Sequence, residues 1–220
     1  MKAVFFDFDG TLTYTGPNIW QEIWLALGFS LGKDSEHQKQ LDEFLSKKIT
    51  YQEWCDKTLA CYMEKNMTKE VLNTVASRIK LLPGATETFK ELRNRGYELF
   101  IISGNIIDVI ECVLGDNKKY FDSINANDFV FDSNNKLTYI KGTKYDCEGK
   151  AKFIQEYIDK TNARSIDLYF VGNGFNDDWA YLTGCRTICI NPDDADYKNT
   201  KLWHTTLKTD SLTDLLKFIK

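Results

Sequence analysis

The chain offers little from which a disulfide framework, a zinc site or a nucleic-acid surface could be built. Its six cysteines are scattered, and no two of them form a CxxC pair. A chain of 220 residues buries enough core to fold without cross-links, so the cysteines are expected to be reduced thiols. The two histidines, His37 and His204, stand apart from every cysteine, which removes the usual zinc donor sets. Net charge is −4, the opposite of the basic footprint of a nucleic-acid binder. No long hydrophobic run is present. The apolar stretch that follows Lys2 meets Asp7 at once, too early for a signal peptide or a membrane span. Low-complexity linkers and internal repeats are also missing. These absences predict a soluble, cytoplasmic protein that takes neither nucleic acid nor membrane as a partner.

What is present is an ordinary globular composition, 43% hydrophobic and 27% charged, with a clear change of style along the chain. Residues 2–7 form a short apolar run of the kind that makes a buried parallel strand. The next 65 or so residues carry helical spacing instead: "NIWQEIWLAL" at 18–27 with Pro17 before it, then 41–44, 51–62, and "TKEVLNTVASRI" with Thr68 as an N-cap. After residue 80 the pattern alternates. A helix at 85–95 stops at Gly96, strands are expected at "YELFIIS", "DLYFVGNG" and "RTICIN", and helices at 106–114, 150–161, 177–182 and 211–219. "FVFDSNNKLTYI" has the form of a β-hairpin. Strands separated by helices imply an α/β fold, a doubly wound parallel sheet. The helical stretch 14–80 is then an inserted cap domain, leaving 1–13 plus 81–220 as the core.

In such sheets, ligands bind at the carboxyl ends of strands. Four polar clusters fall at strand ends or helix starts. They are Asp7, Asp9, Gly10 and Thr11; Ser103, Gly104 and Asn105; Lys150; and Asn173, Asn176, Asp177 and Asp178. Alone, each is an ordinary polar turn or cap. In order, "DFDGTLT", "SGN", "EGKAKFI" and "GNGFNDD" resemble the haloacid dehalogenase (HAD) superfamily and, more narrowly, its phosphoserine phosphatase branch.

The resemblance implies a Rossmann-like core and a magnesium-dependent phosphomonoester hydrolase acting on a small phosphorylated metabolite. Asp7 would be the nucleophile that becomes an aspartyl phosphate, and Asp9 the proton carrier. Ser103 and Gly104 would hold phosphate oxygens, and Lys150 would balance their charge. Asp7, the Asp9 carbonyl, Asn173 and Asp177 would surround Mg2+. Alternative readings are a non-catalytic phosphate- or metabolite-binding protein and a phosphotransferase.

The chain departs from the branch at three places. Asn173 stands where aspartate is usual, and Asn105 where a second glycine is usual. The glutamate and arginine with which the branch recognises phosphoserine align near Gly16 and Asp56, and Arg78 is the only arginine of the 14–80 stretch. That stretch carries aromatics instead. Trp20, Trp24 and Trp54, of which Trp20 and Trp24 share one helix face, are read either as packing the core of that stretch or as an aromatic wall for an apolar or cationic leaving group such as an aminoalcohol.

Overall fold

The structure, a computed structural model, describes residues 1–14, 16, 18–192 and 201–220. A seven-stranded sheet runs through the molecule in the order β4-β3-β2-β1-β5-β6-β7. Its strands are β1 (Lys2–Phe6), β2 (Tyr97–Ile106), β3 (Ser123–Phe131), β4 (Leu137–Lys141), β5 (Leu168–Gly172), β6 (Arg186–Ile190) and β7 (Thr205–Leu207). All neighbours are parallel except β3 and β4, which form the expected antiparallel hairpin. The helices are α1 (Ile19–Ala26), α2 (Glu36–Leu45), α3 (Tyr51–Glu64), α4 (Lys69–Ala76), α5 (Ala85–Asn94), α6 (Ile107–Leu114) and α7 (Glu148–Thr161).

Side-chain alternation along β1 builds a core on each face of the sheet. Val4 and Phe6 pack with Phe89 and Leu92 of α5 and with Leu212 and Leu215 near the C-terminus. Ala3 and Phe5 pack on the other face with Ile154 and Tyr157 of α7. With apolar residues on both faces, β1 lies between β2 and β5. Its carboxyl end therefore emerges amid the ends of its neighbours.

The four helices α1–α4 enter and leave the fold at one place. Thr13 pairs with Leu81, and the Leu82 amide donates to the Leu12 carbonyl at 2.8 Å. These helices share a third core with α6 and the hairpin, in which Trp24, Tyr62 and Leu72 meet Val109, Phe129 and Ile140. The hairpin grips the start of α4: Leu137 N donates to Met67 O, and Lys69 N to Asn135 O, both at 3.0 Å.

Several expectations need adjusting. Strand β3 begins at Ser123, well before the apolar part of the hairpin, because its first half pairs with β2. The segments Phe175–Thr183 and Leu212–Lys217 are 3₁₀ rather than α-helical. The short edge strand β7 carries too few residues to signal itself. Thr68 does cap α4, Gly96 does end α5 at φ +82°, and Pro17, expected in the first turn of α1, lies outside the described residues. Among the described residues no helix is long and apolar enough to cross a membrane.

Candidate active site

The chain leaves β1 through Asp7, whose amide still donates to Val171 O at 2.9 Å, and then turns sharply. The turn depends on Gly10, which sits at φ +69°. A Cβ there would lie 2.3 Å from Asn173 Nδ2. Glycine therefore permits both the left-handed backbone and the approach of the loop after β5. Thr11 reinforces that approach by donating its hydroxyl to Asn173 Oδ1 at 3.3 Å.

Lys150, in the first turn of α7, is fully buried beneath this loop. Its Nζ donates to Asp7 Oδ1 at 2.9 Å and to Asp177 Oδ1, and Asp146 Oδ1 lies 4.0 Å away. Burial works against the ammonium charge, but the carboxylates of Asp177, Asp7 and Asp146 outweigh it and hold the pKa above the usual lysine value. Asp7 is pushed up to about 7, chiefly by burial and only partly relieved by Lys150.

Asp9 is held differently. Asn105 Nδ2 donates to both of its carboxylate oxygens, at 2.9 and 3.0 Å. Burial raises Asp9 to about 6, and the bonds from Asn105 hold it below where burial alone would put it. Asn105 is fixed in turn. Its backbone amide donates to Ser103 Oγ at 3.2 Å, and Asn127 Nδ2 donates to the carbonyls of Gly104 and Asn105 at 2.7 and 3.1 Å.

Asp7, Asp9, Ser103, Gly104 and Asn173 all line one cavity of about 680 Å³. Sequence reasoning missed Asp146 and Cys147, which also line it. Asp146 presses on Gly104: a Cβ at 104 would lie 2.4 Å from Asp146 Oδ2. Its carboxylate accepts from the Tyr51 hydroxyl and from Asn176 Nδ2, both at 3.4 Å. Asp146 lies one helical turn before Lys150, a spacing that offered a signal in the sequence.

Two expected site residues take other places. Asp177 does not line the cavity. Its Oδ1 holds Lys150, and its Oδ2 accepts from the backbone amides of Asn173 and Gly174 at 2.9 and 3.1 Å. It fastens the loop that carries Asn173 and anchors the lysine, so its carboxylate is committed beneath the site. Trp24 is 1% exposed, packed edge-on against Phe29, His37 and Tyr62 inside the helical core. Trp20 and Trp54 do line the cavity. Trp20 Nε1 also donates to Gly104 O at 2.8 Å, tying α1 to the carboxyl end of β2.

Asp7, Asp9 and Asn173, which line the cavity together, can offer oxygen donors: carboxylate, main-chain carbonyl and side-chain amide. That set suits a hard divalent cation such as Mg2+, though with one carboxylate fewer than an aspartate at 173 would give. Among the described residues, no cluster of three or more His, Cys, Asp or Glu side chains is placed to hold a metal. Amide and carbonyl oxygens would therefore carry part of the coordination.

The family model for haloacid dehalogenase-like hydrolases matches residues 1–180. Phosphoserine phosphatase of Archaeoglobus fulgidus is 27% identical over 179 residues, which span 80% of this chain and 48% of that protein. The probable phosphoserine phosphatase of Schizosaccharomyces pombe is 25% identical over 80% of this chain and 56% of its own length. Thus the chain spans about half the length of these two relatives. Phosphoserine phosphatase of Methanocaldococcus jannaschii is 24% identical, over 80% of this chain and 79% of its own. Among solved structures, a phospho-aspartyl intermediate analogue of phosphoserine phosphatase superposes with a TM-score of 0.74 at 23% identity, covering 100% of this chain and 99% of that one. The shared fold extends over the whole sheet and the helices α1–α4. With 180 of its 220 residues matched by the model and the four sequence clusters gathered on one rim of the sheet, the chain belongs to the haloacid dehalogenase-like hydrolase family.

Proposed function

We propose that the protein is a magnesium-dependent phosphomonoesterase acting on a small phosphorylated metabolite through an aspartyl phosphate on Asp7. The observation that carries this reading is the pairing of two buried carboxylates with different partners on one cavity, Asp7 on Lys150 and Asp9 on Asn105. One is poised beside a cation that offsets the charge of an incoming phosphate. The other is held by a neutral amide, which favours its ionised form without a countercharge.

In the proposed reaction an Asp7 oxygen attacks phosphorus, the P–O bond to the alcohol breaks, and Asp9 gives its proton to the departing oxygen. Asp9 then takes a proton from water as that water attacks the aspartyl phosphate, releasing inorganic phosphate and restoring the Asp7 carboxylate. Ser103 Oγ and the amide that follows it are the donors proposed for the phosphate oxygens. Mg2+ held by Asp7, the Asp9 carbonyl and Asn173 would neutralise phosphate charge. The helices of 14–80 are proposed as a cap over this site, a reading supported by their shared entry and exit at Thr13 and Leu81. All six cysteines are free, which suits a reducing compartment, and we place the protein in the cytoplasm. Release of inorganic phosphate from a panel of phosphorylated metabolites, with and without Mg2+, tests the reading. Magnesium-dependent release is expected, and none from any member would overturn it.

Residue 173 gives this reading a quantitative check. Hard divalent cations prefer carboxylate to amide oxygen, so the wild-type protein is expected to need a high Mg2+ concentration for full rate. Asn173→Asp should lower the Mg2+ concentration that gives half-maximal rate. Superimposable titration curves would remove residue 173 from the metal. Activity present only in Asn173→Asp would instead favour a wild-type protein that binds phosphorylated metabolites without turning them over.

Asn105 is expected to act through Asp9. Asn105→Gly removes both bonds to that carboxylate, each of a kind worth roughly 1.5–3 kcal/mol to a charged partner. The expected result is a kcat about tenfold lower or worse with KM within a few-fold of wild type. A change confined to KM would place Asn105 in substrate binding instead.

A further inference from the structure

The part of the cavity lined by the helical stretch has an unusual chemistry. Its side chains come from the segment before α1, from α1 itself, and from α2 and α3. They are Asn18, Trp20, Gln21, Leu41, Phe44, Leu45 and Trp54, with Gly16 beside them. None is charged. Among the described residues, every charged one lining the cavity is an acid, namely Asp7, Asp9 or Asp146. The one arginine of the 14–80 stretch and the acid that aligns near the branch's arginine both engage partners outside the cavity lining. Arg78 is largely exposed and pairs with Glu22 at 3.8 Å, and Asp56 is exposed and accepts from Gln52.

A substrate carboxylate placed at this end would lose its water shell and find no cation, while facing three acids across the cavity. A substrate ammonium would find no acid among the side chains of this end, its nearest carboxylates being the three across the cavity. A cage of separate aromatic faces could hold it, but these rings pack on one another. Phe44 stacks on Trp54 at 5.1 Å with 10° between the rings, and Trp20 lies tilted against Trp54 at 6.0 Å. Tyr51 meets both Phe44 and Trp54 edge-on. The result is a packed aromatic block flanked by Leu41 and Leu45, a surface that suits an apolar group and does not form a cage for a cation. Asn18 and Gln21 add neutral hydrogen-bonding capacity.

Resting on the phosphomonoesterase reading, we infer that the preferred substrates are phosphomonoesters whose leaving group is an uncharged, largely apolar alcohol of about the size of an aromatic ring. Amino-acid and aminoalcohol phosphates are disfavoured.

The test compares esters whose leaving groups are all primary alcohols, so that intrinsic reactivity is similar: benzyl phosphate, O-phosphoserine, phosphoethanolamine and glycerol 3-phosphate. Two measurements are made on the full chain. The first is kcat/KM of the wild type with Mg2+. The second is the dissociation constant of each ester on the Asp7→Asn variant by titration calorimetry, which reads preference whether or not turnover occurs. Benzyl phosphate is expected to exceed O-phosphoserine and phosphoethanolamine by tenfold or more in both. Leu45→Arg, at an exposed position on the rim, should shrink the ratio to O-phosphoserine at least threefold by supplying the missing cation. Trp54→Ala should shrink the ratio of benzyl to glycerol phosphate.

Phosphoserine or phosphoethanolamine equalling or beating benzyl phosphate in binding would overturn the inference, even if the wild type proves an efficient phosphatase. Preferential binding of benzyl phosphate with no turnover of any ester would keep the inference and sink the catalytic reading.

Discussion

Asp7→Asn should reduce turnover by roughly 10⁴-fold or more, the scale on which removing a covalent catalyst acts. An amide oxygen is a poor nucleophile and cannot carry the phosphoryl group as an acyl phosphate. The folded protein should survive the change. Lys150 keeps its bond to Asp177, so no buried cation is left alone. The carboxylate that is removed is one that burial pushes up to about 7. A group whose folded pKa lies above its unfolded value weakens the fold once pH exceeds the unfolded value, and more so as pH rises towards 7. The neutral amide of the variant carries no such burden, so the melting temperature at about pH 7.5 should be unchanged or higher. Phosphate release is measured with Mg2+ present, and melting by circular dichroism. Near-normal phosphate release by the purified variant would remove Asp7 from the role of nucleophile.

Asp9→Asn should slow both half-reactions by roughly 10²–10⁴-fold, the range of general acid–base catalysis. Its effect should depend on the leaving group. An alkoxide needs the proton, whereas 4-nitrophenolate departs without one. The first half-reaction of 4-nitrophenyl phosphate should therefore be rescued relative to that of an alkyl phosphate, and a burst of nitrophenolate should precede a slow steady state. Equal losses with both esters, and no burst, would show that Asp9 does not donate the proton.

Much of this site is legible in the sequence because the fold delivers strand ends to one rim. Once the apolar runs are read as parallel strands, Asp7, Ser103 and Asn173 follow as neighbours without any knowledge of side-chain contacts. Lys150 follows from its place at a helix start and from the resemblance. What stays hidden depends on partners distant in the chain. Nothing near Asn105 announces that its amide reaches Asp9, 96 residues away, nor that Asn127 of β3 braces the end of β2. Asp146 looks like one more polar residue in a loop, and only the fold brings it against Gly104. The two tryptophans of α1 make the same point. Spacing places Trp20 and Trp24 on one face and both join the helical core, but only Trp20 also lines the cavity. The resemblance puts Asp177 in or next to the metal shell, yet which way a carboxylate faces is decided by the backbone amides and cations around it, here those of residues 173 and 174 and Lys150.

The bonding of Lys150 also sets the order in which a lineage could abandon this chemistry. The lysine is shared by Asp7 and Asp177. Losing Lys150 first would strand two buried carboxylates, and breaking a buried ion pair costs about 3–5 kcal/mol, a large part of a domain's stability. Losing Asp177 first would free the amides of residues 173 and 174 as well. Losing Asp7 first strands nothing. A descendant that drifted away from catalysis would shed Asp7 early and keep the Lys150–Asp177 pair long afterwards as scaffolding. In such a lineage the lysine and the second aspartate are fossils of the fold, and Asp7 is the residue whose survival requires continued use.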